Sequence, residues 1–155
     1  MMVYYCICQT PLGRMTLAQE EDRLIAAQFD RVPEKDWQKA DSPLLCAAKQ
    51  QLQEYFDGTR REFSLPLAPK GTSFQQKVWA ALQTIPYGQT KSYGQLARQV
   101  GSPRGARAVG MANHCNPIAV FIPCHRVVGQ NGALTGYAGG IWRKEALLKL
   151  EAAAF

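Results

Sequence analysis

Long apolar runs are missing from this 155-residue chain. The opening stretch, Met1 to Cys8, is short, carries polar side chains and has no basic start, and nothing approaches the roughly 20 apolar residues of a membrane span. A soluble, cytoplasmic protein without a membrane partner is expected. Histidine is scarce: there are only two, His114 and His125, each beside a cysteine, Cys115 and Cys124. That spacing matches no common zinc module, and neighbours on a strand point to opposite faces, so no metal is expected. The five cysteines are odd in number and lack a disulfide spacing, which excludes a disulfide framework and fits thiols in a reducing compartment. Cys6 and Cys8, two apart, share one face of a strand and read as core. Acidic residues are nearly absent from the second half. Residues 68–155 carry 2 Asp and Glu against 10 Lys and Arg, whereas residues 1–67 carry 10 against 8. A basic half of this kind suits a polyanion, although a basic surface also keeps a protein soluble.

What is present divides the chain at the same place. Residues 2–8, 13–19 and 23–29 are short runs rich in Val, Tyr, Ile, Leu and Thr, broken by Pro11-Leu12-Gly13 and Glu20-Glu21-Asp22. They predict an antiparallel three-stranded meander. Leu44, Leu45, Ala48, Leu52 and Phe56 recur at helical spacing behind Asp41 or Ser42 as cap, predicting one helix over Pro43 to Phe56 that covers the sheet. Residues 62–69 read as an extended crossing. The predicted class is α+β, with a small N-terminal domain over 1–67 and a mostly helical C-terminal domain over 68–155.

In the second domain Thr72 or Ser73 caps a helix ended by Pro86-Tyr87-Gly88. Two short helical stretches follow, Ser92 to Val100 and Pro103 to Asn113, with Ser102 as cap and Pro103 at the first helical position. They read as a helix-turn-helix or as an ordinary helical hairpin. Gly105, Ala106, Ala108 and Gly110 make one face of the second helix small enough for close approach to another surface. Arg104 and Arg107 add positive charge there, which a core helix does not need.

Residues 118–128 run Ile-Ala-Val-Phe-Ile-Pro-Cys-His-Arg-Val-Val, an apolar strand interrupted by a polar tetrad. Pro123 fixes the backbone before Cys124, and His125 with Arg126 makes the local field positive, which favours thiolate. A buried structural cysteine is the plainer alternative, but it leaves His125 and Arg126 without a purpose.

The run Ile122-Pro123-Cys124-His125-Arg126-Val127-Val128-Gly129 resembles the signature of the O6-alkylguanine-DNA alkyltransferases, the methylated-DNA–protein-cysteine methyltransferases. Pro86-Tyr87-Gly88 with Ser92-Tyr93, Ala106-Arg107-Ala108-Val109-Gly110, Asn116-Pro117, Tyr137-Ala138-Gly139-Gly140 and Lys144-Glu145 resemble further motifs of that family in order and spacing. Residues 72–151 carry the resemblance densely. It implies a ribonuclease H-like first domain and a DNA-binding, catalytic second domain. It also implies stoichiometric, irreversible transfer of an alkyl group from O6 of guanine, possibly O4 of thymine, in double-stranded DNA to Cys124.

The resemblance further implies roles. His125 is the general base, reaching the sulfur through a water, and Glu151 orients it. Tyr93 helps rotate the target phosphate and protonates guanine N3. Arg107 fills the stack left by the flipped base, on a helix that also presents Arg104, Ala106 and Gly110 to the minor groove. Asn116 ties the turn to the active-site strand. Backbone groups of Cys124 and Val127 select the base, and the loop Thr135 to Gly140, with Tyr137, Ala138 and Gly139, closes the pocket. Many relatives have serine where Ala138 stands, so a side-chain contact to O6 is lost. Zinc ligands of some animal relatives include histidines in the first domain, where this chain has none, so neither metal nor cofactor is implied.

Three other functions compete. Alkyltransferase-like proteins bind lesions without repairing them but carry another residue at the cysteine. A cysteine hydrolase would use Cys124, His125 and Glu151, but contiguous Cys-His is a poor geometry and leaves the basic helices unused. A transcription regulator would need a dimer face; none is visible, and a monomer is expected.

Overall fold

The computed structural model describes residues 2–153. The chain divides into two units, Met1–Lys70 with Pro117–Phe121, and Gly71–Asn116 with Ile122–Phe155. Among the described residues no helix is long and apolar enough to cross a membrane.

In the first unit, strands β1 (Val3–Thr10), β2 (Gly13–Glu20) and β3 (Arg23–Phe29) form the antiparallel meander. Side-chain alternation places Cys6 and Cys8 in the core with Tyr5 and Ile7 half-buried, whereas central β2 is buried from Met15 to Gln19. The sheet has four strands rather than the expected three: β4 (Gln38–Lys39) pairs parallel with Tyr4 and Tyr5, giving the order β3-β2-β1-β4. Both β4 residues are exposed and polar; they pair through backbone alone, so no apolar pattern announces them.

Helix α1 (Pro43–Phe56) keeps the expected bounds. The Ser42 hydroxyl accepts the Leu45 N–H at 3.1 Å, and Pro43 stands at the start where its missing N–H costs nothing. Buried Leu45, Ala48, Leu52 and Tyr55 lay the helix on β1, β2 and β3, each fully buried leucine contributing roughly 1.5–3 kcal/mol. Leu67 bridges Leu24 in the extended crossing. Ile118 bridges Ala27, so Pro117–Phe121, placed in the second domain by the sequence reading, belongs to the first unit.

The second unit is built from α2 (Ser73–Leu82), α3 (Tyr93–Gln99), α4 (Ala106–His114) and α5 (Ile141–Ala152). Capping boxes start α2 (Thr72 with Gln75) and α3 (Ser92 with Gln95). Helices α2, α3 and α4 pack on one another around Val78, Trp79, Leu82, Leu96, Ala97, Val109 and Ala112. The Trp79 indole donates to the Ala112 carbonyl at 2.8 Å. It lies so close to the chain that a Cβ at Gly71 would stand 2.4 Å from its ring. Helix α4 begins three residues later than expected. Ser102 does not cap it; instead the Gly105 N–H donates to the Ser102 carbonyl at 2.7 Å, and Gly105 is the N-cap. Ser-Pro-Arg-Gly has proline second and glycine fourth, the composition of a type I turn, and the turn wins over the helix. Strands β5 (Lys91–Ser92) and β6 (Val127–Val128) pair in parallel.

Candidate active site

The backbone presents Cys124 by two tight turns in succession. Pro123 has φ −80° and ψ 64°, and the Cys124 N–H donates across it to the Ile122 carbonyl at 2.8 Å, an inverse γ-turn. Cys124–Arg126 then forms one 3-10 turn, closed by Val127 N–H on the Cys124 carbonyl, and β6 follows. The apolar approach and exit bury this turn, leaving Cys124 5% exposed and His125 0%.

Two asparagines anchor the turn. Asn116 Nδ2 donates to the Ile122 carbonyl at 2.8 Å. Asn113 Nδ2, from α4, donates to the Cys124 carbonyl at 3.2 Å. That carbonyl, one of the backbone groups expected to read the base, therefore already accepts from Asn113 and Val127. Asn113 was not singled out from the sequence; its signal was a polar residue among Val109 and Ala112 on the buried side of α4.

His125 Nε2 lies 2.7 Å from Glu151 Oε2, near the end of α5, and Glu151 is 1% exposed rather than a solvated helix-end carboxylate. Nδ1 of the same ring has no hydrogen-bond partner among the described residues. The second group on Glu151 is Arg126. Its Nε reaches Oε1 at 2.8 Å and its Nη2 reaches Oε2 at 2.9 Å, while Nη1 donates to the Ile85 carbonyl at 2.7 Å. The Gly88 N–H adds a bond to Oε1 at 3.2 Å. The sequence reading had Arg126 support a thiolate; the structure turns its guanidinium onto Glu151 instead.

These contacts set the ionisation of the groups. Burial alone would push Glu151 up, but its bonds to His125 and Arg126 outweigh this and hold the carboxyl well below the usual range. Burial holds His125 below the usual imidazole value, against the pull of Glu151 and with help from Arg126 and Lys144. Burial pushes the Cys124 thiol up, opposed by Asn116, the Lys144 ammonium, its own backbone N–H and Tyr137.

Lys144, quoted in the sequence only as part of a motif, is fully buried. Its Nζ donates to the Thr135 carbonyl at 2.7 Å and approaches the Gly136 carbonyl at 3.4 Å and the Tyr93 hydroxyl at 3.5 Å. Tyr93, first residue of α3, also has its hydroxyl 3.4 Å from the Thr135 carbonyl. Lys144 thus joins Tyr93 to the 135–140 loop. In that loop the buried Tyr137 hydroxyl faces the Cys124 thiol and has no other partner among the described residues. Ala138 is exposed, Gly139 half-buried with its carbonyl 3.0 Å from Arg143 Nη1, and Val127 buried in β6.

The remaining expected residues occupy a different surface. Arg107 is exposed on the first turn of α4, Arg104 is exposed in the turn before it, and Ala106 is half-buried. Neither arginine makes an ion pair with another described residue. Gly110 sits against Tyr93, where a Cβ would stand 3.7 Å from the ring. The structure thus pairs His125 with Glu151, sets Asn116 and Tyr137 at the Cys124 turn, and ties Tyr93 to Lys144 and Thr135. It leaves Arg104 and Arg107 on the outer face of α4. Among the described residues no group of three or more His, Cys, Asp or Glu could hold a metal.

A buried thiol beside a carboxylate-paired imidazole, on a unit whose helix pair carries exposed arginines, defines a cysteine-based group-transfer site next to a basic surface. Residues 73–153 match the family described as 6-O-methylguanine DNA methyltransferase, DNA binding domain, and residues 3–69 match its ribonuclease-like domain. The chain is 51% identical to the constitutive methylated-DNA–protein-cysteine methyltransferase of Bacillus subtilis, over 95% of this chain and 93% of that one. It is 46% identical to the methylated-DNA–protein-cysteine methyltransferase of Methanosarcina acetivorans, over 96% and 98%. Among solved structures, that of Mycobacterium tuberculosis OGT in complex with DNA is similar with a TM-score of 0.92 at 47% identity, over 97% of this chain and 94% of that one. The chain belongs to the 6-O-methylguanine DNA methyltransferase family.

Proposed function

We infer that this chain repairs DNA by direct reversal, transferring the alkyl group of O6-alkylguanine in double-stranded DNA to Cys124, once and irreversibly. The carrying observation is the Cys124 turn, in which a buried thiol is followed by a histidine with one nitrogen on Glu151 and the other without a partner among the described residues. Similarity to the Bacillus subtilis methyltransferase and to a family member solved with DNA supports the same reading.

The thiol proton passes through a water to His125 Nδ1, because Nε2 is engaged by Glu151. The sulfur attacks the alkyl carbon, the carbon–O6 bond breaks, and its electron pair stays on the purine, which takes a proton at N3 from Tyr93. The Lys144 ammonium, 3.5 Å from the phenol oxygen, balances the charge left there. A soft sulfur suits displacement at carbon, and the thioether does not hydrolyse, so no turnover follows. The target base must leave the duplex to reach a buried sulfur; the exposed Arg107 on α4 fills the gap, with Arg104 on phosphate and small Ala106 and Gly110 permitting close approach. The protein acts as a monomer.

Mass spectrometry after mixing the protein with a duplex bearing one O6-methylguanine tests this reading. One methyl on Cys124, stoichiometric and absent from Cys124→Ala, is the expected result. Tight binding with no mass change overturns it and leaves a lesion-binding protein.

A further inference from the structure

We propose that Arg126 is a positioning residue of the transfer reaction: by clamping both oxygens of Glu151 it keeps His125 a neutral ring with a hydrogen on Nε2 and a bare acceptor at Nδ1. The proposal rests on the reading of His125 as the base. It starts from the saturation of Glu151. Oε1 takes Arg126 Nε and the Gly88 N–H, and Oε2 takes Arg126 Nη2 and His125 Nε2. A guanidinium is always charged and binds a carboxylate through two parallel bonds. Glu151 is therefore an ionised, acceptor-only group, and the hydrogen between it and His125 belongs to Nε2. Nδ1 is then the lone-pair nitrogen, and it is the ring atom without a partner among the described residues.

Charge favours the same state of the ring. A lone carboxylate 2.7 Å from a buried imidazole would stabilise imidazolium and remove the base. Arg126 neutralises that carboxylate while being fixed itself, with Nη1 on the Ile85 carbonyl and the Tyr87 ring 5.7 Å from its guanidinium carbon. Other groups facing His125 are few. Its own turn contributes Cys124 and Arg126, α5 contributes Lys144 and Glu151, and Tyr137 stands beside Cys124. Helix α2 also packs on the turn, and its one charged residue, Lys77, is exposed.

The experiment combines 15N and 1H titration of the two histidines, of which only His125 is buried, with the rate of alkyl transfer from free O6-benzylguanine across pH 5.5 to 9. In the unmodified protein His125 should be neutral at pH 6.5, with Nε2 protonated and Nδ1 bare. An Nδ1–H tautomer or imidazolium there overturns the proposal without any variant. In Arg126→Gln the His125 midpoint and the acid limb of the rate should both rise by at least one pH unit, and Glu151→Gln added to it should bring both back. Arg126→Lys, which keeps the charge but loses the paired bonds, should fall between. A rate lowered equally at every pH, with the His125 midpoint unmoved, reduces Arg126 to a structural residue. The titration needs no alkyl transfer, so failure of the function reading, seen as no mass change on Cys124, is separate from failure of this one.

Discussion

Lys144 illustrates how much one buried side chain decides. A fully buried ammonium survives only with its donors satisfied, and here two backbone carbonyls and a phenol oxygen satisfy them. Lys144→Met fills the same space but leaves those acceptors short. We expect a loss of about 1–3 kcal/mol in stability, read from denaturant melts. Since Lys144 is also among the groups that favour the Cys124 thiolate, its removal should move the pH midpoint of transfer from O6-benzylguanine to higher pH. An unmoved midpoint would mean the ammonium serves the loop alone. At this scale the sequence was legible where residues carry their meaning in a contiguous motif, as Cys124 and His125 do; Glu151 was named only through the family resemblance. Arg126 and Asn113 were not given their partners, because those partners lie 25 and 11 positions away and only the fold brings them together.

Helix α4 works on two sides at once. Its inner side holds Val109, Ala112 and Asn113 in the core and on the Cys124 turn, while its outer side shows Arg107, Ala108 and Met111 to solvent. A change on the outer side should therefore spare the chemistry. Arg107→Ala is expected to slow methyl transfer from duplex DNA at least tenfold while leaving the reaction with free O6-benzylguanine within about twofold. Equal losses on both substrates would remove Arg107 from base flipping. The elements themselves were readable in proportion to their apolar periodicity. Helix α1 has the predicted ends because its pattern and Ser42 cap agree. The start of α4 shifted because Ser102-Pro103 can open a helix or a turn, and the choice depends on a backbone bond to Gly105 that no spacing reveals. Strand β4, two polar residues held by β1, left no trace in composition.

Taken over the whole molecule, the buried pair His125 and Glu151 makes stability fall in acid, while the buried thiols, raised by burial, make it fall in alkali above their usual value of 9.0. His125 and Glu151 both ionise below their usual values of 6.5 and 4.5 in the folded chain. In acid the unfolded chain binds protons that the folded chain refuses, so the stability these two groups contribute is full above about pH 6.5, declines below it as unfolded histidine protonates, and declines further below about pH 4.5. Thermal midpoints between pH 8 and 4 should fall in that order, and an equal midpoint at pH 8 and pH 5 would contradict it. The uneven charge of the two halves was visible from counting alone, and the basic half is the one that carries α3, α4 and the thiol.

The bond from the Trp79 indole to the Ala112 carbonyl has an optical consequence. Trp79 is 2% exposed, whereas Trp142, under the Arg143 guanidinium, is 57% exposed. Iodide or acrylamide should quench Trp142 and spare Trp79; with the half-buried third tryptophan, Trp37, replaced by phenylalanine, the blue-edge emission that remains comes from a chromophore bonded directly to α4. The seating of that helix can therefore be followed by intrinsic fluorescence, without attaching a dye to a protein whose reactive thiol a labelling reagent would consume.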